Sequence, residues 1–144
     1  MKKSTLFLVS VATLGVLGLA YWLLSPLLLT TERDDVRPVT TEAVIQQGVF
    51  QNAEHDVRGN VSIIETDEGH ILRFENFETQ NGPDLFVYLA TDEKATDFVN
   101  LGAIQATKGN VNYAIPDYID TKKYNHVIVW CRAFSINFGY ATLQ

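Results

Sequence analysis

Cys131 is the single cysteine of the chain and carries its most versatile reactive side chain. A cysteine thiolate attacks disulfides, is oxidised to a sulfenate and binds metal ions, provided that it is deprotonated and accessible. The residue lies in the apolar stretch 126–138, where Val129 and Ala133 share its face of a predicted strand. Such neighbours are also typical of a cysteine that packs as a small buried hydrophobic residue. Cys131 is therefore a candidate redox thiol, and a structural core cysteine is the alternative.

The three histidines add candidate metal ligands, because blue-copper sites combine imidazoles with one thiolate. His126 lies on the opposite face of the predicted strand from Cys131, about 17 Å along it, and is a poor co-ligand. His55 lies at the start of another predicted strand and is the better candidate to approach the thiol. The metal-ion hypothesis therefore names Cys131 and His55, and the alternative is that His55, His70 and His126 are solvent-exposed residues at strand ends.

The segment Asn81-Gly82-Pro83-Asp84 is a strong turn signal, because glycine permits a positive φ and proline fixes its own φ. One interpretation is a binding loop formed by Gly82, Pro83 and Asp84, with the carboxylate exposed. The other is a turn that sets the register between two core strands.

Trp130 and Tyr113 are the aromatic residues predicted to lie near the thiol, where they would form a conduit to it. Aromatic residues at alternating strand positions are more often part of a hydrophobic core, which is the alternative for both.

The elements that must position these residues have the two-residue periodicity of β-strands, and no amphipathic helix of useful length is predicted after residue 43. Short strands separated by turn signals at intervals of roughly 8–12 residues indicate an all-β antiparallel sandwich or barrel-like sandwich of about eight strands. The strands are predicted at 43–50, 57–66, 70–77, 85–90, 98–104, 111–115 and 126–138, with a closing segment to the C-terminus.

Three details of this interpretation concern the chain between the strands. Lys108-Gly109-Asn110 is predicted as a turn, and Tyr118 and Ile119 are predicted to point inward. The stretch 126–138 is predicted as a central strand because both of its faces are largely apolar. Arg132 must then reach an edge of the sheet or find a partner.

The N-terminal part of the chain has the pattern of a membrane anchor. Residues 6–29 form a run without charge, long enough to cross a bilayer core of about 30 Å. Lys2 and Lys3 precede the run, so the positive-inside rule places the N-terminus in the cytoplasm. A cleaved signal peptide is the alternative, but the apolar run continues beyond the small-residue site at 18–20. The sequence thus predicts a cytoplasmic stub and transmembrane anchor (1–31), a polar tether (32–42) and an extracytoplasmic β domain (43–144) of a single-pass cell-membrane protein.

The charge of the predicted domain excludes one class of partner. All 17 acidic residues and nine of the 11 basic residues follow the apolar run, so the domain is strongly acidic. Nucleic acid and anionic lipid surfaces are therefore not expected partners. A single cysteine also forms no intramolecular disulfide, so a hydrophobic core must stabilise the domain, and a domain of about 100 residues can supply one.

Several motifs resemble one known family, and they cover nearly the whole predicted domain in order. The shared pieces are Gly48-x-Phe50, His55-x-x-x-Gly59-x-Val61-x-Ile63, Leu72-Arg73-Phe74-Glu75-x-Phe77, Gly82-Pro83-Asp84-Leu85-x-Val87-Tyr88-Leu89, Gly109-x-x-x-Tyr113-x-Ile115-Pro116, Trp130-Cys131 and Phe138-Gly139-x-Ala141-x-Leu143. The domain resembles the DM thirteen family, also described as an electron-transfer domain. The resemblance implies an extracytoplasmic β-rich domain with a redox role through its cysteine, here Cys131.

The resemblance also bears on partners. Larger members of the family carry heme-binding or cytochrome-type domains, and none is fused here, so a heme or another electron carrier would belong to a separate redox protein. No catalytic constellation is recognised. The rival hypothesis is a non-enzymatic interaction module of the cell envelope that recognises a protein or a glycan through the loops 81–84 and 91–97.

Overall fold

The computed structural model describes residues 3–38 and 43–144. Within these ranges the chain forms one helix and ten strands. The helix is α1 (Lys3–Leu28), and the strands are β1 (Glu32–Asp34), β2 (Ala43–Val49), β3 (Gln51–Asn52), β4 (Val57–Thr66), β5 (Gly69–Thr79), β6 (Leu85–Ala90), β7 (Phe98–Ala103), β8 (Lys108–Ile115), β9 (His126–Cys131) and β10 (Ile136–Thr142).

The strands form two five-stranded sheets that pack face to face. The first sheet has the order β1-β8-β5-β4-β2, and the second has the order β3-β10-β9-β6-β7. Neighbouring strands are antiparallel except for β1, which runs parallel to β8. The predicted all-β sandwich is confirmed, and the sheets do not close into a barrel. The two strands beyond the predicted eight are the short segments β1 and β3.

Alternating apolar side chains fill the space between the sheets. On β6 and β9 the inward residues Val87 and Val129 are fully buried, as is Leu89. The first sheet contributes large side chains to the same core, including Phe74 and Tyr113. β-Branched and aromatic residues fit this pleated, two-sided environment, which is why these stretches form strands.

The stretch 126–138 is two strands and not one. β9 ends at Cys131, residues 132–135 form a turn, and β10 returns antiparallel to β9. The Arg132 N–H donates to the Asp84 carbonyl, and the Ser135 N–H donates to the Arg132 carbonyl, which folds the chain back. Ala133 and Phe134 are consequently exposed, so the prediction that they continue the strand was wrong.

Two further predictions fail for local reasons. Lys108 to Asn110 begin β8 and do not form a turn, because Gly109 adopts a φ of 114° while it still pairs with Phe77 of β5. Tyr118 is 83% exposed, in contrast to its predicted inward position. Ile119 is partly buried and packs against the core, as predicted.

The segment predicted as a polar tether begins as part of the sandwich. Glu32–Asp34 pair with Lys108–Asn110, and residues 35–37 continue along the outer face of the first sheet. There the buried Arg73 donates to the Asp35 carbonyl at 3.1 Å, and the Asn112 side chain donates to the Val36 carbonyl at 3.0 Å. These backbone contacts hold the segment in place despite its polar sequence. Residues 39–42 of the predicted tether lie outside the described residues.

The described residues of α1 do not pack against the strands of the sandwich. No residue of the apolar span Phe7–Ser25 is buried in the structure, and the span has a mean hydropathy of 2.1. A 19-residue helical span of this composition is long enough to be a membrane anchor, and a signal sequence has the same properties.

Candidate functional site

Cys131 is the last residue of β9 and points into the space between the sheets. It pairs with Leu85 of β6 on one side and with Ile136 of β10 on the other. The residue is fully buried, and its thiol is free. Its predicted apolar face is therefore present, but the access that a reactive thiol requires is absent in this conformation.

The two aromatic residues predicted near the thiol lie in different places. Trp130 points to the outer face of the second sheet, so the sheet itself separates its ring from the thiol. Tyr113 belongs to the same core as Cys131 but comes from the opposite sheet. Its hydroxyl accepts a hydrogen bond from the Gln105 N–H at 3.1 Å, and burial raises the pKa of Tyr113 to about 12. The two rings do not form a continuous conduit with Cys131.

His55 lies at the Cys131 end of the sandwich and packs on the core from outside. Its ring centroid is 3.9 Å from that of Phe138, and its Nδ1 is 2.8 Å from the Gln80 Oε1 atom. His126 is at the other end of β9, where its Nδ1 lies 2.8 Å from the Asn125 side-chain oxygen. Among the described residues, no group of three or more histidine, cysteine, aspartate and glutamate side chains is arranged to hold a metal ion.

The predicted loop Gly82-Pro83-Asp84 is a turn that covers this end of the core. A Cβ atom on Gly82 would lie 2.9 Å from side-chain atoms of both Leu85 and Phe138, so only glycine fits there without displacement of a neighbour. The Asp84 carboxylate, which was predicted to be exposed, is partly covered by Arg132. Here the name cap denotes the two segments at this end, residues 80–84 and 132–135.

Arg132 joins the two segments of the cap. Its Nε donates to Asp84 Oδ2 at 3.0 Å and its Nη2 donates to Asp84 Oδ1 at 3.3 Å. The guanidinium also lies 3.7 Å from the centroid of the Phe86 ring, a cation–π contact. Asp84 is thus the partner that the sequence analysis expected for an arginine at the end of an apolar strand.

A comparison with known protein families identifies the family to which this domain belongs. The sequence profile of the electron transfer DM13 family matches residues 49–143. The chain belongs to the electron transfer DM13 family. No curated protein and no solved structure matches the chain. Family membership supports a redox or electron-transfer role for the DM13 domain, and the resemblance identified from the motifs is confirmed.

The sequence interpretation of the DM13 domain named Asn81 only as part of the loop 81–84, and it placed Phe134 in a strand. The Asn81 side chain donates to the Leu29 carbonyl just beyond α1 at 2.6 Å, which ties the cap to the helix. Phe134 is 67% exposed at the tip of the turn between β9 and β10. The signal for Asn81 is weak, because asparagine before Gly-Pro is expected for the turn alone. The exposure of Phe134 was not predicted, because the stretch 126–138 was interpreted as one long strand.

The outer face of the second DM13 sheet carries a separate aromatic cluster. Tyr88 stacks on Phe98 with ring centroids 4.2 Å apart, and Trp130 lies 6.1 Å from Tyr88. The loop 91–97 lies against this face, where the Asn137 side chain donates to the Glu93 carbonyl at 2.8 Å. The loop therefore covers part of the cluster and is held in place by the sheet.

Proposed function

We propose that the protein is a single-pass membrane protein that holds its DM13 domain outside the cytoplasm, where the domain exchanges electrons with a separate redox protein. The family match over residues 49–143 carries the electron-transfer part of the proposal. The apolar span Phe7–Ser25 and the two lysines that precede it support the membrane part.

Cys131 is the redox group in this proposal. It supplies the only thiol of the chain, and no metal-holding cluster is found among residues 3–38 and 43–144. The reaction is thiol–disulfide exchange with a disulfide of the partner protein. The Cys131 thiol releases its proton to water, and the thiolate attacks one partner sulfur. One S–S bond breaks, the mixed disulfide forms, and the second partner sulfur leaves as a thiolate.

Burial sets a condition on this reaction. Because Cys131 is 0% exposed, the thiol reacts only after part of the structure opens, and in this proposal that part is the cap. Local openings of a folded protein cost anything from almost nothing up to the full free energy of unfolding. The cap is a suitable place for a low-cost opening, because its two segments are loops at the end of the sheets and residues 132–135 are exposed.

The experiment that tests the proposal measures how fast Cys131 reacts with N-ethylmaleimide, an uncharged alkylating reagent, in the full chain. Labelling is followed by mass spectrometry over a series of urea concentrations below the unfolding transition. Labelling through an opened cap depends weakly on urea, because little surface is exposed. Labelling through global unfolding follows the full urea dependence of stability.

A weak urea dependence and a rate at least tenfold above that expected from global unfolding support the redox proposal. A rate that follows global unfolding at all urea concentrations overturns the role of Cys131. The Cys131→Ala chain controls for alkylation of other groups.

A non-redox interaction module is the second candidate function, and the complete burial of Cys131 is the observation that favours it. In this case the surface of the domain acts and the thiol only fills the core. The loops 81–84 and 91–97 then bind a protein or a glycan of the cell envelope. This candidate is retained if labelling of Cys131 follows global unfolding and the Cys131→Ala chain still binds its partner.

A further inference from the structure

We propose that the cap end of the sandwich rests on the lipid bilayer that holds α1, with the Phe134 side chain in the membrane interface. The inference depends on the membrane anchoring proposed above. It adds an interaction surface and its partner, a lipid surface, and it does not depend on the chemistry of Cys131.

The first argument is the length of the connection between helix and sandwich. α1 ends at Leu28, and the Thr31 carbonyl already accepts hydrogen bonds from the N–H groups of Thr107 and Lys108 at 2.8 and 3.1 Å. The Thr31 N–H donates to the Thr107 side chain at 3.1 Å. Only residues 29 and 30 lie between, and the three Cα–Cα steps from Leu28 to Thr31 span at most about 11 Å. The sandwich therefore begins at the end of the helix and is not held away from it.

The second argument is a direct contact between the cap and the chain leaving the helix. The Asn81 side chain donates to the Leu29 carbonyl at 2.6 Å. The Leu29 N–H in turn donates to the Ser25 carbonyl at 3.1 Å, which continues the helical hydrogen bonding. Asn81 immediately precedes Gly82 in the cap. The cap and the C-terminal end of α1 thus lie side by side.

The strand registers show which end of the sandwich this is. β8 begins at Lys108, which pairs with Glu78 near the end of β5. β6 begins at Leu85, which pairs with Cys131 at the end of β9. The turn 132–135 extends beyond Cys131 in the same direction. The opposite end carries the pair His70–Ile115 and the segment 117–124, and it points away from the helix.

The fourth argument is the exposed side chain on the tip of the turn. Phe134 is 67% exposed, and the neighbouring cap residue Pro83 is exposed as well. Transfer of a phenylalanine side chain from water to an apolar environment is favourable. A turn that carries such a residue beside the end of a membrane helix fits the interfacial region of a bilayer.

The chain offers a matched control for Phe134. Tyr118 is also an exposed aromatic residue in a loop, at 83% exposure, but it lies at the opposite end of the sandwich. Leu17 lies within the apolar span of α1 and reports whether the helix is in lipid. These three positions separate the orientation of the domain from the insertion of the helix.

The experiment uses the full chain in liposomes of phosphatidylcholine, whose headgroups carry no net charge. In the Cys131→Ala background, the variants Phe134→Cys, Tyr118→Cys and Leu17→Cys each carry one nitroxide spin label. Collision rates with oxygen, which concentrates in lipid, and with a water-soluble nickel chelate are measured. We expect the ratio of oxygen to nickel collisions to be at least fivefold higher at 134 than at 118, and highest at 17.

Two results overturn the inference and are distinguishable. Equal ratios at 134 and 118, with a lipid environment at 17, overturn the orientation and leave the proposed electron-transfer function intact. A water environment at 17 overturns both the anchoring and the orientation.

A second measurement needs no substitution, so that a variant that does not fold does not decide the question. The wild-type chain is placed in nanodiscs that contain lipids with spin-labelled headgroups. The paramagnetic broadening of the amide NMR signals is then compared between residues 132–135 and residues 117–121. Stronger broadening at 132–135 supports the inference. Equal broadening of both segments overturns it.

Discussion

Arg132 holds Asp84 by two parallel hydrogen bonds, from Nε at 3.0 Å and from Nη2 at 3.3 Å, and so joins the two segments of the cap. The hydrogen bond to Asp84 also raises the pKa of Arg132, which stays charged throughout the accessible pH range. The two side chains remain 48% and 37% exposed. The pair is therefore a surface contact on the outer face of the second sheet, where it joins the segment before β6 to the segment after β9.

The first prediction concerns this pair and the opening of the cap. Asp84→Asn should lower the free energy of unfolding by no more than about 1 kcal/mol, because exposed ion pairs contribute little. If the pair closes the cap, the same change should raise the rate of Cys131 alkylation up to about fivefold, since 1 kcal/mol corresponds to that factor. Urea denaturation and N-ethylmaleimide labelling measure the two effects.

The matched control for this pair lies at the other end of the sandwich. Lys123 and Asp97 form an ion pair of 2.8 Å with exposures of 54% and 52%. Asp97→Asn should change stability by a similar amount and leave the alkylation rate of Cys131 unchanged. Equal acceleration by both substitutions would mean that the Asp84 pair has no particular influence on the cap.

The second prediction tests the docking of β1, which joins the apolar helix to the sandwich. A Cβ atom on Gly109 would lie 1.9 Å from the Arg33 carbonyl oxygen, and Gly109 also has a φ of 114°. Gly109→Ala should therefore destabilise the domain by about 1–3 kcal/mol through backbone strain and displace β1 in addition. Hydrogen exchange at residues 32–37 and thermal unfolding measure these two effects.

Gly102 provides the control, because it has a similar φ of 117° and nothing within 4 Å of its Cβ position. Gly102→Ala should produce the backbone strain without loss of β1. Faster exchange at residues 32–37 in the Gly109 variant alone would confirm that close approach holds β1 in place. The same exchange in both variants would contradict it.

The third prediction concerns Arg73, which is only 4% exposed. Its guanidinium donates to Glu75 at 2.8 Å, to the Asn112 side chain at 2.9 Å and to the Asp35 carbonyl at 3.1 Å. Arg73→Ala removes these three hydrogen bonds and leaves Glu75 with Arg37 as its donor, so we expect a loss of about 3 kcal/mol in urea denaturation.

Arg58 is the comparison for Arg73, since it also pairs with a glutamate, Glu78, but its side chain is 75% exposed. Arg58→Ala should cost less than about 1 kcal/mol. A loss for Arg73→Ala that is no larger than for Arg58→Ala would show that the segment 35–37 is not held by the buried guanidinium.

A comparison of β6 with β1 shows which strands can be predicted from the sequence and which cannot. The boundaries of β6 at 85–90 were predicted correctly, because a strand that is covered on both faces has a continuous apolar sequence. β1 has the sequence Glu32-Arg33-Asp34, which carries no apolar pattern. Its pairing depends on the bare backbone of Gly109, far along the chain. Local sequence contains no trace of such a contact.

The candidate site shows the same division. Alternation correctly placed Cys131 and Trp130 on opposite faces, yet Trp130 was predicted to lie near the thiol because it is adjacent in the chain. The end of β9 depends on the hydrogen bond between the Arg132 N–H and the Asp84 carbonyl, a contact between distant segments. The cap was therefore not predictable as a unit. Only the turn at Gly82-Pro83-Asp84, which is one part of the cap, was predictable from its residue types.

The fourth prediction is a pH dependence that originates in the core. Burial raises the pKa of Tyr113 to about 12, from an ordinary value of 10.0. The neutral phenol is favoured in the folded protein, so its contribution is complete below pH 10 and is lost as the pH rises from 10 to 12. Because one pKa unit corresponds to 1.36 kcal/mol, the loss approaches about 2–3 kcal/mol at the upper end.

Tyr113→Phe should remove this part of the alkaline destabilisation. At neutral pH the variant should lose about 1 kcal/mol, because the Gln105 N–H then has no acceptor in the phenol. Tyr118→Phe, at a residue 83% exposed, is the control and should change neither quantity. Urea denaturation at intervals from pH 7 to 12 should show the Tyr113→Phe and wild-type stabilities converging above pH 10. Parallel pH profiles for the two proteins would mean that Tyr113 does not titrate from a buried position.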